Sequence, residues 1–298
     1  MMIRSLEALM TAAKQKEKKK IAVVCAEDAD TINVVKAAME QSLASFILIG
    51  DQPKIEQLMA AAHMAEAIDI IHEPNHAAAA DKAVNLIVEG KAGAIMKGLV
   101  HSNIFLKALF NKEKGLNTGN QITQISIFEK PDKSGLMFLT DCAISVAPDV
   151  IAKKGIIENA VRLAHQLGVE TPKVAVLAPV ENINVQMQDT IDAAILSKMC
   201  DRGQITGCIV DGPFAFDNAI SLEAASHKGI SGAVAGQADI VVVPNLLVGN
   251  ALTKSITYIA GKKVVAATVG AAVPVVFTSR TESTEGKLLS IALATYTA

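Results

Sequence analysis

The chain has 298 residues, of which 51% are hydrophobic but only 3% aromatic and none Trp; this suits one large α/β domain or two smaller ones with a core of Ala, Val, Ile and Leu. Its 28 basic and 30 acidic side chains leave a formal charge of −2, which excludes a global field for nucleic acid or an anionic membrane, so any polyanion must be held by a local site. No run approaches the ~20 apolar residues that a membrane span requires, and a soluble, cytoplasmic protein is expected.

The opening "MMIRSLEALMTAAKQKEKKK" has apolar residues at helical spacing and ends in a basic run, without the apolar core of a signal peptide. Next come "IAVVCAE", "FILIG", "IDIIHE" and "AGAIMKG", each separated by about one helix of sequence, the rhythm of βαβ units in a parallel sheet. Between Gln121 and Thr140 two β-rich runs flank Pro131, Asp132, Lys133, Ser134 and Gly135, which predicts an antiparallel hairpin. Alternation then resumes through "KVAVLAP", "GCIVDGP", "ADIVVVPN", "KKVVAATVG" and "VPVVFTS", a second α/β layer. Cys25, Cys142, Cys200 and Cys208 lie mostly in apolar runs and include no close zinc or redox pair, so reduced, buried thiols and no metal are expected.

In open α/β sheets the ligand site lies beyond the carboxyl ends of the strands, where loops enter helix N-termini. The loops after the apolar runs read "MKGLVHSN", "TDCA", "APVEN", "DGPFAFDN", "PNLLVGNALTKS" and "TSRTES". At the last of these, Thr278, Ser279, Arg280, Thr281 and Ser283 precede a helix. Free backbone N–H groups, hydroxyls and a guanidinium would together grip a phosphate-class anion. The plainer alternative is that Thr281 or Ser283 only caps the helix while Arg280 sits in solvent. Lys97 and Gly98 end another strand, and His101 or Ser102 can cap the helix that follows, either as a second anion-facing N-terminus or as simple capping. Asp211 ends the strand "GCIV" and is placed for a site or for a backbone bond, while Asp217 reads as a helix N-cap near Asn218. The absence of HExxH, GxxxxGK[ST] and GxSxG argues against a zincin, a P-loop nucleotidase and an α/β-hydrolase.

Taken in order, "MKGLVHSNIFLKAL", "LTDCAISVAPD", "VDGPFAFDNAIS", "ADIVVVPNLLVGNALTKSI" and "VFTSRTES" closely resemble the phosphate acetyl/butyryltransferase family, from about Ala22 to the C-terminus. The length is more like the butyryltransferase branch than the long acetyltransferases. The resemblance implies a two-domain fold similar to the isocitrate/isopropylmalate dehydrogenases, with an active-site cleft between the domains. It also implies a homodimer built from the second domain, and a first domain completed by the last helix: residues 1–126 plus 270–298, then 127–269.

By the same resemblance the substrates are acyl-coenzyme A, phosphate and acyl phosphate, with no permanently bound cofactor. Arg280 would hold phosphate, Ser279 would support the reacting acyl group, Ser102 would contact phosphate or carbonyl, and Asn250 and Lys254 would match the "GN" loop and its helix. Two departures stand out. The position of the family's proposed thiol base is Gly286, which leaves Glu285 or Glu282 for that role, and the family's "PDL" reads "PNL" at Asn245. Aliphatic Leu99, Val100, Leu246, Leu247 and Val248 near the site either favour butyryl over acetyl or are ordinary core. A nicotinamide-dependent decarboxylating dehydrogenase and a non-catalytic coenzyme A-binding protein are the competing readings.

Overall fold

The computed structural model describes residues 2–64, 67–111, 116, 118–279 and 282–298. Two compact units divide the chain. One comprises Glu7–Asn120 with Val265–Ala298, the other Gln121–Val264 with the residues up to Leu6.

The first unit opens with α1 (Leu6–Lys14), β1 (Lys20–Val24), α2 (Ala29–Glu40), β2 (Ser45–Gly50), α3 (Gln52–Ala61), β3 (Asp69–His72), α4 (His76–Val88), β4 (Ala94–Lys97) and α5 (Ser102–Leu109). The helices start where local chemistry dictates. The Asp28 carboxylate accepts from the Thr31 N–H at 2.9 Å, and the Asn75 side chain accepts from Ala77 and Ala78, in each case satisfying N–H groups that have no partner inside the helix. β1 pairs in parallel with β2 and β4, and β2 with β3.

The second unit begins with β5 (Thr123–Glu129) and β6 (Leu136–Thr140), the expected hairpin, joined through residues 130–135. There follow α6 (Val150–Gln166), β7 (Lys173–Leu177), α7 (Gln188–Asp201), β8 (Ile209–Phe214), α8 (Phe216–Ile220), α9 (Leu222–His227), β9 (Ile240–Val242) and α10 (Leu246–Lys254), which runs into a π-helical turn. Strand order here is β5-β6-β9-β7-β8. Pairing of β5 with β6 from Ile125 to Glu129 keeps this strand whole within the unit, and the Ile3 N–H donates to the Leu167 carbonyl, so the first residues go with it.

The chain then returns to the first unit with β10 (Val265–Val269), β11 (Val275–Val276) and α11 (Thr284–Thr297), and the order there is β3-β2-β1-β4-β11-β10. β11 is parallel to β4, with Val275 opposite Ile95 and Val276 opposite Met96. Because side chains alternate along a strand, Ile21 and Val23 of β1 enter one core with Ala94, Met96, Val276 and residues of α2 and α11. Ala22 and Val24 enter the opposite core with Ile95, Val275 and residues of α4 and α5. That two-sided burial explains the unbroken apolar runs in the sequence. Phe105 stacks on Phe277 in the second of these cores at 5.9 Å between centroids. Among the described residues no helix is long and apolar enough to cross a membrane.

Candidate active site

In the first unit the chain runs β1 to β2 to β3 in one direction, and β4 lies on the other side of β1. This reversal makes the carboxyl ends of β1 and β4 the place where an open sheet leaves a crevice. A cavity of about 150 Å³ lies there, lined by Asp28, Asp30, Thr31, Met96, Lys97, Gly98, Leu99, Thr278, Ser279 and Lys287.

Gly98 is what brings the strand ends together. Its N–H donates to the Val24 carbonyl at 2.9 Å and that of Leu99 to the Cys25 carbonyl at 2.8 Å, which sutures the turn after β4 to the turn after β1. A Cβ on residue 98 would lie 2.4 Å from the Cys25 carbonyl oxygen, so only glycine fits. Lys97, 8% exposed, lies at the end of the buried β4 and its ammonium donates to the Gly98 carbonyl at 3.2 Å. Lys287, 7% exposed, reaches from α11 to an ion pair with Asp30 in the first turn of α2. Two buried lysines therefore face one small crevice beside the Asp28 and Asp30 carboxylates at the start of α2, and an anion there would be met by Lys97 and by Lys287, whose ammonium is shared with Asp30.

Thr278 and Ser279 follow β11 into the cavity. The Ser279 N–H donates to Glu282 at 3.3 Å, and Ser283 caps α11 by accepting from Gly286 at 3.1 Å. Ser283 thus takes the capping role. Arg280 and Thr281 lie outside the described residues. Glu285 is exposed on the first turn of α11, and a Cβ on Gly286 would come within 2.9 Å of the Glu282 carboxylate. His101 occupies the N-cap position of α5 without a side-chain capping bond, and Ser102 begins the helix; both are exposed.

Asp211, Asn250 and Lys254 belong to the second unit. Asp211 lies within β8, which continues through Pro213 to Phe214, and its carboxylate accepts from the Gly212 N–H at 2.8 Å. Asn250 and Lys254 are exposed on α10, with the Lys254 ammonium 5.8 Å from the Tyr258 ring centroid. Asn245, the "PNL" departure, caps α10 by accepting from Val248 at 3.1 Å, and amide and carboxylate cap comparably well. Asp141 of "TDCA" is 2% exposed and accepts from Gln124, Ala143, Ile144 and Ser145, so this motif organises a loop. Among the aliphatics named from sequence, Leu99 lines the cavity, Val100 is fully buried core and Leu247 is 78% exposed.

The second unit has a hollow of about 380 Å³ between the hairpin and the amino ends of β7 and β9. Its lysines are already engaged, Lys130 with Asp239 at 2.7 Å and Lys173 with Gln237 at 2.9 Å. Burial first, then the Glu27 charge, push Cys25 up to about 12, with Lys97 opposing, and burial pushes Cys142 up to about 11. Cys25 and Cys142 are buried as expected, whereas Cys200 and Cys208 are partly exposed.

The sequence profile of the phosphate acetyl/butaryl transferase family matches residues 63–295. The phosphate butyryltransferase of Clostridium acetobutylicum is 46% identical over 294 residues, covering 98% of both chains. The phosphate acetyltransferase of Thermotoga maritima is 39% identical over 97% of this chain and 98% of its own. Among solved structures, a branched-chain phosphotransacylase from Enterococcus faecalis superposes with a TM-score of 0.83 at 32% identity, covering 94% of this chain and 98% of that one. A 4-hydroxythreonine-4-phosphate dehydrogenase from Klebsiella pneumoniae, at 15% identity and a TM-score of 0.58 over 93% of this chain and 98% of its own, shares the fold.

Proposed function

The chain belongs to the phosphate acetyl/butaryl transferase family, and from that premise we propose that the β1/β4 crevice holds the phosphate end of an acyl phosphate. The chain is an acyltransferase that moves a short acyl group between coenzyme A and inorganic phosphate. The observation that carries the assignment of the site is the convergence of buried Lys97 and Lys287 with Thr278 and Ser279 on one crevice of this size.

In this reading a base deprotonates the coenzyme A thiol, the thiolate attacks the acyl carbonyl, and phosphate departs, held by Arg280 with Lys97 and Lys287. Ser279 and the N–H groups of the α11 start meet the charge that grows on the carbonyl oxygen. Gly98, Thr278, Thr281, His101 and Ser102 complete the substrate surface of the first unit, and Asp211, Asn250 and Lys254 are the residues of the second unit proposed to bind substrate. Glu285 takes the base role that Gly286 leaves vacant. A thiol is only partly ionised near neutrality, so a base that adds about 10²-fold suffices, and positioning carries the rest.

Butyryl is the favoured acyl group. Met96 and Leu99 give the crevice apolar surface, and each further buried methylene is worth about 0.8 kcal/mol, so butyryl-coenzyme A should exceed acetyl-coenzyme A by about tenfold in kcat/KM. Thiol release measured with acetyl-, propionyl-, butyryl- and isobutyryl-coenzyme A, with and without phosphate, tests this. A preference for acetyl would move the chain to the acetyltransferase side of the family. Absence of phosphate-dependent release would instead leave a coenzyme A-binding protein. A cytoplasmic homodimer joined through the second unit belongs to the same reading, supported by exposed apolar side chains there such as Val185 and Ile259, each 84% exposed.

A further inference from the structure

The turn after β1 and the start of α4 bring together three groups that the proposed chemistry does not use. The Cys25 thiol, the Glu27 carboxylate and the His76 imidazole place one ligand atom each within 4.8 Å of one another, with His76 Nε2 and Glu27 Oε1 3.4 Å apart. A tetrahedral zinc-class ion holds sulfur at about 2.3 Å and nitrogen or oxygen at about 2.0–2.2 Å, so its ligand atoms stand roughly 3.3–3.7 Å from one another. The imidazole–carboxylate distance already falls in that range. His76, with its side chain 34% exposed at the first turn of a helix, has the freedom to close the remainder.

An independent observation points the same way. The Glu27 side chain is only 6% exposed, and among the described residues its Oε2 has no hydrogen-bond partner. A buried carboxylate oxygen without a donor is costly and calls for a counter-charge. Gly50 makes room for it, since a Cβ there would fall 1.9 Å from that oxygen. Cys25 itself holds a left-handed backbone conformation, φ 57°, that glycine or asparagine would adopt more easily.

We propose that Cys25, Glu27 and His76 form a binding site for one thiophilic divalent cation of the zinc class. On binding, the Cys25 thiol gives its proton to solvent and a sulfur–metal bond replaces the S–H bond. Thiolate, carboxylate and neutral imidazole then balance a double positive charge, and water takes the fourth position on the exposed side of His76. Sequence spacing conceals this site, because Cys25 and Glu27 are two apart and the third ligand comes from β3–α4, with no paired-ligand motif.

The test is titration of the tag-free full-length chain with Co²⁺ and Cd²⁺ in a Cys200→Ser/Cys208→Ser background, which removes the partly exposed thiols. Binding of one ion per chain at micromolar concentration, with a sulfur-to-cobalt absorption in the near ultraviolet that Cys25→Ser abolishes, is expected. Loss of even an outer-sphere partner typically weakens such sites 10–100-fold, so His76→Ala and Glu27→Gln should each raise the Kd at least about tenfold. Because Cys25 is fully buried and its variant can misfold, the His76→Ala result decides on its own. No binding, or a Kd that His76→Ala leaves unchanged, overturns the proposal.

Discussion

Lys287 of the last helix is ion-paired with Asp30 of α2, across 257 positions of sequence. The lysine is buried while the aspartate side chain is 48% exposed, so the pair closes one wall of the crevice and leaves its ammonium charge close to any anion inside. Lys287→Met should therefore raise the KM for phosphate severalfold with a smaller change in kcat. Since Asp30 remains half solvated, the stability cost should be only about 1–2 kcal/mol, read from urea unfolding. An unchanged phosphate KM in the folded variant would remove Lys287 from the site.

Arg280→Ala should raise the KM for phosphate and for acyl phosphate while the protein stays folded. Truncating one member of a desolvated charge pair costs about 2–5 kcal/mol. Steady-state kinetics in both directions check this, and a normal KM for both anions would assign the phosphate to the two lysines alone.

Glu285→Gln should lower kcat at neutral pH, and the deficit should shrink as pH rises toward the thiol's own pKa. The sign follows from the chemistry: the base is needed only while the thiol is protonated, and alkaline solution supplies thiolate without it. A pH–rate profile parallel to that of the parent protein across this range would pass the role to Glu282, Asp211 or solvent.

Gly98→Ala tests the junction of the two strand ends. Its methyl would lie 2.4 Å from one backbone carbonyl oxygen and 2.7 Å from another, and neither can swing aside like a side chain. Overpacking of this kind costs about 1–3 kcal/mol, so a lower Tm together with a marked loss of activity is expected. A variant with the parent Tm and activity would mean that the turn yields freely.

The strand rhythm was legible because parallel strands buried on both faces leave contiguous apolar runs, as "IAVV" and "FILIG" do for β1 and β2. Lys97, Gly98, Thr278 and Ser279 could be found as residues that end such runs. Lys287, Asp28, Asp30 and Thr31 were harder. Asp28 and Thr31 carry an N-cap signature directly after β1, but nothing local marks the ion pair that joins Asp30 to Lys287, since it depends on α11 packing beside α2. Local turn chemistry misplaced one helix start. Asp217 reads as an N-cap, yet α8 begins at Phe216, and a hydrogen bond from the Lys228 ammonium holds the Asp217 carboxyl below the usual carboxylate range. The "TDCA" and "PNL" carboxylate and amide stand where chemistry was sought, but each serves the backbone around it.

The return of the chain to its first unit has a consequence for synthesis. The second unit is almost continuous in sequence and emerges from the ribosome with nearly all its strands, whereas the first must wait for Val265–Ala298. Until then β4 has an open edge and the α2 face of the sheet lacks the cover of α11. Nascent chains stalled or trimmed before Val275 would expose an unpaired strand beside bare aliphatic surface, the kind of intermediate that chaperones retain. Asp28, Asp30, Lys97 and Gly98 are thus made long before Thr278, Ser279 and Lys287, and the anion site comes into being only once β11 and α11 have joined them.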